Sequence, residues 1–239
     1  MEMLRQKLLD GGASLVGFAA LRDHMVSVPE EDAALAEELR QYPRAVALAI
    51  ALPRDIVAAL TAGPTPAYWE TYVEVNHRLD RLMDDCAEIL RAEGHSAHAQ
   101  TAANNRIFSD NRTILPHKTV AVSAGLGWIG RSALLITPRY GAAVRLGSVL
   151  TDAPLPVCPT PLENRCGGCT ACRAACPAGA ITGERWWMDK DRDWIYRAEV
   201  CKEKARELSQ KQLGADRSLC GRCIAACPHT KAYLRRPGP

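Results

Sequence analysis

The residues best able to do chemistry lie near the C-terminal end, in Cys166-Gly167-Gly168-Cys169-Thr170-Ala171-Cys172-Arg173-Ala174-Ala175-Cys176-Pro177. The spacing is C-x2-C-x2-C-x3-C-P, a run whose thiolates hold an iron–sulfur cluster while the fourth Cys reaches to another one. Three thiolates two residues apart let one tight loop cover three corners of a cubane. The longer step and Pro177 turn the chain, so the fourth thiolate points elsewhere. A second set is therefore required. Cys220-Gly221-Arg222-Cys223 and Cys227-Pro228 repeat the ending, with Cys201 upstream. On the two-cluster ferredoxin pattern, Cys166, Cys169, Cys172 and Cys227 hold one [4Fe–4S] cluster, and Cys176, Cys201, Cys220 and Cys223 hold the other.

Two other chemistries use cysteines at such spacings. Disulfides need an oxidising compartment, and no secretory segment is read in the sequence. Four-thiolate zinc sites pair their ligands two and two and rarely use the long run seen here. Two cysteines remain. Cys86 falls on the apolar stripe of an expected helix and reads as core. Cys158, in a Pro-rich loop, reads as an inert bystander. The net charge of +3 is unevenly spread: residues 1–157 carry 15 Lys/Arg against 18 Asp/Glu, and residues 158–239 carry 15 against 9. A basic excess around two anionic clusters offsets their charge, so a nucleic-acid partner is not expected. The chain has no apolar run of membrane-spanning length, so no membrane partner is expected and a cytoplasmic location is.

The elements that must position these residues follow from periodicity. Residues 2–10 read as a short helix stopped by Gly11-Gly12, and residues 14–19 as a strand. Pro29 opens a helix with Glu30, Glu31 and Asp32 at its positive end, and Pro43 ends it. Residues 45–52 are apolar throughout, as in a strand buried on both faces. Residues 66–93 carry Tyr72, Val75, Leu79, Leu82, Met83, Cys86, Ile89 and Leu90 at helical spacing, with Gly94 as the cap. Tyr68 and Trp69 near its start read as core. Residues 95–115 are polar and irregular, a solvated loop or a site lining. Residues 134–137 and 143–150 read as strands. The prolines of 153–161 mark a boundary, giving domains 1–155 and 156–239. Trp186, Trp187 and Trp194 fall in the second and are expected to shield clusters from water.

Gly125-Leu126-Gly127-Trp128-Ile129-Gly130 matches G-x-G-x-x-G. A dinucleotide site also needs a long helix after the glycines and an acid further on. Asp152 could be that acid, but Pro138 follows too soon for the helix, so NAD is set aside. What remains is backbone able to approach a large ligand closely.

With this loop, Leu135-Ile136-Thr137-Pro138, Leu146-Gly147, Leu150-Thr151-Asp152 and the cysteine set together, the chain resembles the epoxyqueuosine reductase family, cobalamin-dependent iron–sulfur reductases related to reductive dehalogenases. The resemblance covers roughly residues 105–230. It implies an α+β protein: a nitroreductase-like, corrinoid-binding domain followed by a small two-cluster ferredoxin-like domain. It implies that Gly125, Leu126, Gly127, Trp128, Ile129, Gly130, Arg131, Ser132, Leu135, Ile136, Thr137 and Arg145 line cobalamin. The family's catalytic Asp position is taken here by Asn111, with Asp110 beside it, and a neighbouring Glu position by His117. Asp110 and His117 are therefore the candidate proton donors. Members that act on tRNA carry a helical-repeat extension after the clusters. Here 12 residues follow Cys227, and the expectation is a short form with another substrate. The implied function is an oxidoreductase: an external donor of ferredoxin or flavodoxin type reduces the clusters, which reduce the corrinoid, which acts on a substrate. The alternative is an electron-transfer protein that serves a partner such as a corrinoid protein, with no small-molecule chemistry of its own.

Overall fold

The computed structural model describes residues 2–22, 33–105, 107–108, 110–187 and 190–236. Contacts divide the chain into two compact units: Met1–Ile50, Asn76–Gly127 and Arg145–Leu162 form the first, and Ala51–Val75, Trp128–Val144 and Glu163–Pro239 the second. The sequence reading draws one cut after residue 155. The compact units instead assign residues 51–75 and 128–144 to the unit that holds the cysteine runs. Among the described residues no helix is long and apolar enough to cross a membrane.

In the first unit, α1 (Glu2–Asp10) leads into β1 (Leu15–Ala20), and α2 (Ala33–Arg40) into β2 (Arg44–Ala51). The helix opening expected at Pro29, Glu30, Glu31 and Asp32 lies outside the described residues. β1 and β2 are antiparallel, with Leu15 opposite Ala49 and Ala19 opposite Ala45. β3 (Ala97–Ala99) and β6 (Val144–Thr151) complete a sheet of order β1-β2-β6-β3. β2 has a strand on each side, and Ala45 to Ile50 are all buried, as a fully apolar run requires. α4 (Pro66–Ala92) carries Val75, Leu79, Leu82, Met83, Cys86 and Leu90 on one buried stripe. Each such leucine contributes about 1.5–3 kcal/mol by leaving water. The Met83 sulfur accepts the Ser148 backbone N–H at 3.2 Å, which ties α4 to β6. α5 (His117–Ser123) precedes the glycine loop.

The second unit holds short pieces: α3 (Arg54–Ala58), the hairpin β4 (Trp128–Ile129) and β5 (Leu135–Ile136), then α6 (Ala171–Ala175), α7 (Ala198–Leu213), α8 (Arg222–Ala226) and α9 (Pro228–Leu234). In the hairpin Trp128 faces Ile136 and Ile129 faces Leu135. A strand follows the glycines, where a dinucleotide fold would need a long helix. The Thr137 hydroxyl holds the next turn, accepting from Tyr140 N at 3.0 Å. α9 is fastened at both ends. The Tyr233 hydroxyl donates to the Leu52 carbonyl at 2.9 Å, and Thr230 Oγ1 accepts the Ala142 N–H at 2.9 Å.

Gly141 has φ +58°, and an added Cβ would meet the backbone of Thr230 and His229. Backbone cannot swing aside as a side-chain tip can. Gly141→Ala should therefore cost roughly 3 kcal/mol or more, whereas Thr230→Ser, which keeps the hydroxyl, should be near neutral. Urea unfolding of both variants checks this.

Candidate functional site

None of the ten cysteines is paired in a disulfide. The two repeats fold alike. A Cys precedes a one-turn helix, a second Cys sits at its start, and a third follows its end: Cys169, Cys172 and Cys176 around α6, and Cys220, Cys223 and Cys227 around α8. Four residues of helix advance the chain by about 6 Å, so the third Cys of each repeat is carried away from the first two. α6 packs on α8, which lets each third Cys meet the other repeat's pair.

Cys166, Cys169, Cys172 and Cys227 line one cavity of about 160 Å³ with Gly130, Arg131, Ser132, Ile136, Arg165, Pro228 and His229. Burial pushes the Cys172 thiol up to about 11, opposed by a backbone N–H and reinforced by the negative charges of Cys166, Cys227 and Cys169. Burial also raises Cys227, while N–H groups of Thr230 and His229 at the start of α9 and the Thr230 side chain pull it down. The remaining four cysteines act on one another. Burial raises Cys201, and a hydrogen bond from Tyr196 lowers it, against Cys176 and Cys220. Burial raises Cys220, against the Arg222 N–H and charge. Cys223 is raised by burial and then by Cys220, Cys201, Cys172 and Cys176. Thiolates this crowded repel one another and persist only beside a compensating cation, which iron supplies. The donor set thus fits two iron–sulfur clusters.

The hairpin forms the other wall of the first cavity. Gly130 lies where an added Cβ would sit 2.7 Å from Ile136 Cγ1 and 3.5 Å from Cys166 Sγ. Asn164 Nδ2 donates to the Ile129 carbonyl at 2.9 Å, and Asn164 Oδ1 accepts the Cys166 N–H at 3.0 Å. Arg131 Nη2 donates to the Gly167 carbonyl at 2.6 Å. Of the twelve residues that the resemblance assigns to a corrinoid, Gly130, Arg131, Ser132 and Ile136 therefore face the cysteines. Trp128, Ile129, Leu135 and Thr137 are buried in protein packing, and the Trp128 ring meets His229 edge-on at 5.0 Å. Gly125, Leu126, Gly127 and Arg145 fall in the first unit. There Cys158 Sγ covers Gly125 and sits 3.3 Å from the Thr160 carbonyl. Arg145 Nε donates to Asn76 Oδ1 at 3.0 Å.

The two candidate proton donors lie in the first unit. Asp110 is exposed and pairs with Arg112 Nε at 2.9 Å. His117 is engaged at both ring nitrogens: Nδ1 with Ser148 Oγ at 2.7 Å and Nε2 with Asn105 Nδ2 at 3.2 Å. Gln100 Nε2 also donates to Ser148 Oγ, at 2.6 Å. An amide N–H facing Nε2 assigns the ring proton to Nδ1. Burial, then the Arg145 charge, pushes the His117 pKa down to about 4. Asn105 and Gln100 fall in the polar stretch that the sequence leaves open as a site lining, whereas Ser148 was missed because it sits inside the apolar run of a strand.

Three further expectations resolve in packing terms. Cys86 is fully buried and its thiol pushed up to about 12, an inert core group. Asp152 accepts the Ser96 N–H at 2.9 Å and holds a turn. Trp187 and Trp194 are about half exposed, with the Lys190 ammonium over both rings. They carry a cation at the surface.

Residues 165–230 match the 4Fe-4S double cluster binding domain, so this part of the chain is a two-cluster iron–sulfur domain. Beyond it, the chain is similar to epoxyqueuosine reductases. It is 38% identical to that of Aliivibrio fischeri over 127 residues, covering 52% of this chain and 32% of that one. The chain spans less than half the length of the curated relatives it matches. Among solved structures, a reductive dehalogenase whose structure suggests a mechanism for B12-dependent dehalogenation superposes with TM-score 0.72 at 22% identity, covering 91% of this chain and 30% of that one. An epoxyqueuosine reductase with an epoxyqueuosine-modified tRNA stem loop superposes at 0.61 and 21%, covering 97% and 65%. The α+β fold is the one these proteins share.

The His117 shift has a sign. Its folded pKa lies below the ordinary value, so between pH 6.5 and about 4 the unfolded chain binds a proton that the folded chain refuses. Stability should fall as pH drops through that window and level off below it, by at most about 2 kcal/mol between pH 7 and pH 5. His117→Gln should flatten the dependence in urea unfolding at the two pH values.

Proposed function

We propose that the chain is an iron–sulfur reductase in which Cys166, Cys169, Cys172 and Cys227 hold one [4Fe–4S] cluster, Cys176, Cys201, Cys220 and Cys223 hold the other, and electrons leave for a corrinoid at the glycine loop. One observation carries this reading. The cavity of the first four cysteines has as its other wall the Gly130–Ile136 hairpin, the segment that the resemblance assigns to the corrinoid. A cluster held there would lie against that hairpin. The similarity to epoxyqueuosine reductases supports the oxidoreductase class.

The chain's own residues fit a corrinoid at one orphaned group. The Trp128 indole N–H is buried without a partner, and a corrinoid rim offers amide carbonyls to such a donor. A bound corrinoid supplies a cobalt centre that becomes strongly nucleophilic when reduced. Gly130 keeps the backbone low at the cavity, and Ser132 and Arg131 set its polar edge. Proton supply falls to Asp110 and His117. His117 faces Ser148 with Nδ1, so a proton reaching or leaving a protonated ring would pass by that hydroxyl. An external electron donor of ferredoxin or flavodoxin type reduces the clusters. A tRNA re-enters as a substrate class, because a homologue of this fold is solved with a tRNA stem loop.

A second reading has its own observation. Trp128, Ile129, Leu135, Ile136 and Thr137 are already at least 97% buried, so protein packing satisfies residues that a corrinoid would cover. In that case the chain is an electron carrier that reduces a partner corrinoid protein.

Cobalamin titration of anaerobically reconstituted protein separates the two. About eight irons per chain with a shifted visible spectrum at stoichiometric cobalamin is the expected result. The same iron with an unchanged spectrum would select the carrier. Cys172→Ser and Cys201→Ser should each remove one cluster and leave about four irons. In a loaded, active protein, joint exchange of Asp110→Asn and His117→Gln should abolish turnover and spare cofactor reduction, and unaltered turnover would remove both from the mechanism.

A further inference from the structure

Four side-chain donors are buried without a partner among the described residues: Arg5 Nε, Trp128 Nε1, Arg131 Nε and Arg222 Nε. Two of the four stand at the cysteine sets, one at each. Arg131 lines the cavity of Cys166, Cys169, Cys172 and Cys227. Its Nη2 is anchored on the Gly167 carbonyl at 2.6 Å, in the loop between Cys166 and Cys169. The guanidinium is thus held against the cluster loop with its Nε–H left over. Arg222 lies between Cys220 and Cys223, at the first position of α8. Its Nε is buried there without a protein acceptor. A buried N–H without an acceptor is costly and rare. Protein supplies no acceptor at either place, whereas a [4Fe–4S] cluster brings sulfide and thiolate sulfurs carrying negative charge.

We infer that Arg131 and Arg222 are potential-setting residues, one for each cluster, whose Nε–H groups and positive charge face cluster sulfur. Hydrogen bonds to the sulfurs and local charge set cluster potentials, and both favour the more negative, reduced state. Each arginine therefore raises the potential of its own cluster. The spacing between the two potentials, which directs electrons from one cluster to the next, is then set by two residues that are not ligands. This rests on the cluster half of the reading above and not on the corrinoid half.

The test is a redox titration followed by electron paramagnetic resonance on the full chain, reconstituted anaerobically with iron and sulfide. Arg131→Met should move one reduction wave to lower potential, with about a tenfold fall in the reduced-to-oxidised ratio at fixed potential, about 59 mV for one electron. Arg222→Met should move the other wave and leave the first in place. Unmoved midpoints in either variant at full iron content, or both variants moving the same wave, would overturn the assignment. Should a methionine variant lose iron, Arg131→Lys and Arg222→Lys keep the charge and remove the Nε donor. A smaller downward shift in the corresponding wave supports the inference, and none overturns it. Failure to bind cobalamin would sink the reductase reading and leave these midpoints untouched, so the two failures are distinguishable.

Discussion

Mutual repulsion among buried thiolates is the constraint on which the second unit depends. Burial raises the pKa of Cys172, Cys201, Cys220, Cys223 and Cys227, and the neighbouring sulfurs raise most of them further. Without iron these groups favour the neutral thiol. With iron, each proton is replaced by a metal bond and the repulsion becomes a coordination shell. The rest of the unit either brings the sulfurs together or supplies them with donors. The α9 N–H groups at Cys227, the Tyr196 hydroxyl at Cys201 and the Arg222 N–H at Cys220 all stabilise charge on sulfur.

The crossed arrangement follows from helix geometry. One turn of helix separates the second and third Cys of each repeat, and α6 lies on α8. Each repeat then shares its third thiolate with its neighbour. The consequence is visible at Cys223, which feels Cys172 of the other set. Sulfurs of the two sets are close enough to act on each other electrostatically. A zinc-like pairing of two and two would have given separate sites.

How much of this was legible in sequence depended on the kind of signal. Thiolate spacing is a covalent constraint, and it indicated the cofactor, while the crossed grouping of ligands came from the two-cluster ferredoxin pattern. The long stripe of α4 and the apolar run of β2 were legible because many residues vote for one period. The helices α6, α8 and α9, of five, five and seven residues, are too short to show a period. β3 lies inside a polar stretch, because three strand residues pair with β6 without forming an apolar run. The hairpin β4–β5 was half seen. Its glycines suggested a ligand loop, but the contact of Gly130 with Ile136 and Cys166 depends on long-range packing. The resemblance placed Arg131 in the corrinoid lining. Its orphaned Nε becomes informative only when burial and partners are counted atom by atom.

The two units carry different currencies. Every candidate electron carrier belongs to the second unit and both candidate proton donors to the first. His117 is held neutral by burial and by Arg145, with Asn105 and Ser148 fixing which nitrogen bears the proton. Such a ring does not gain charge near neutral pH, so it is suited to fixing the Ser148 hydroxyl by hydrogen bonding and not to storing a second proton. The cysteines respond to acid in the same sense as an ordinary thiol but from a higher pKa: each must lose its proton to bind iron, so lower pH opposes loading. Once iron is in place the thiols no longer titrate. An acid-sensitive step found in the loaded protein would then point to the first unit, and one confined to reconstitution would point to the second.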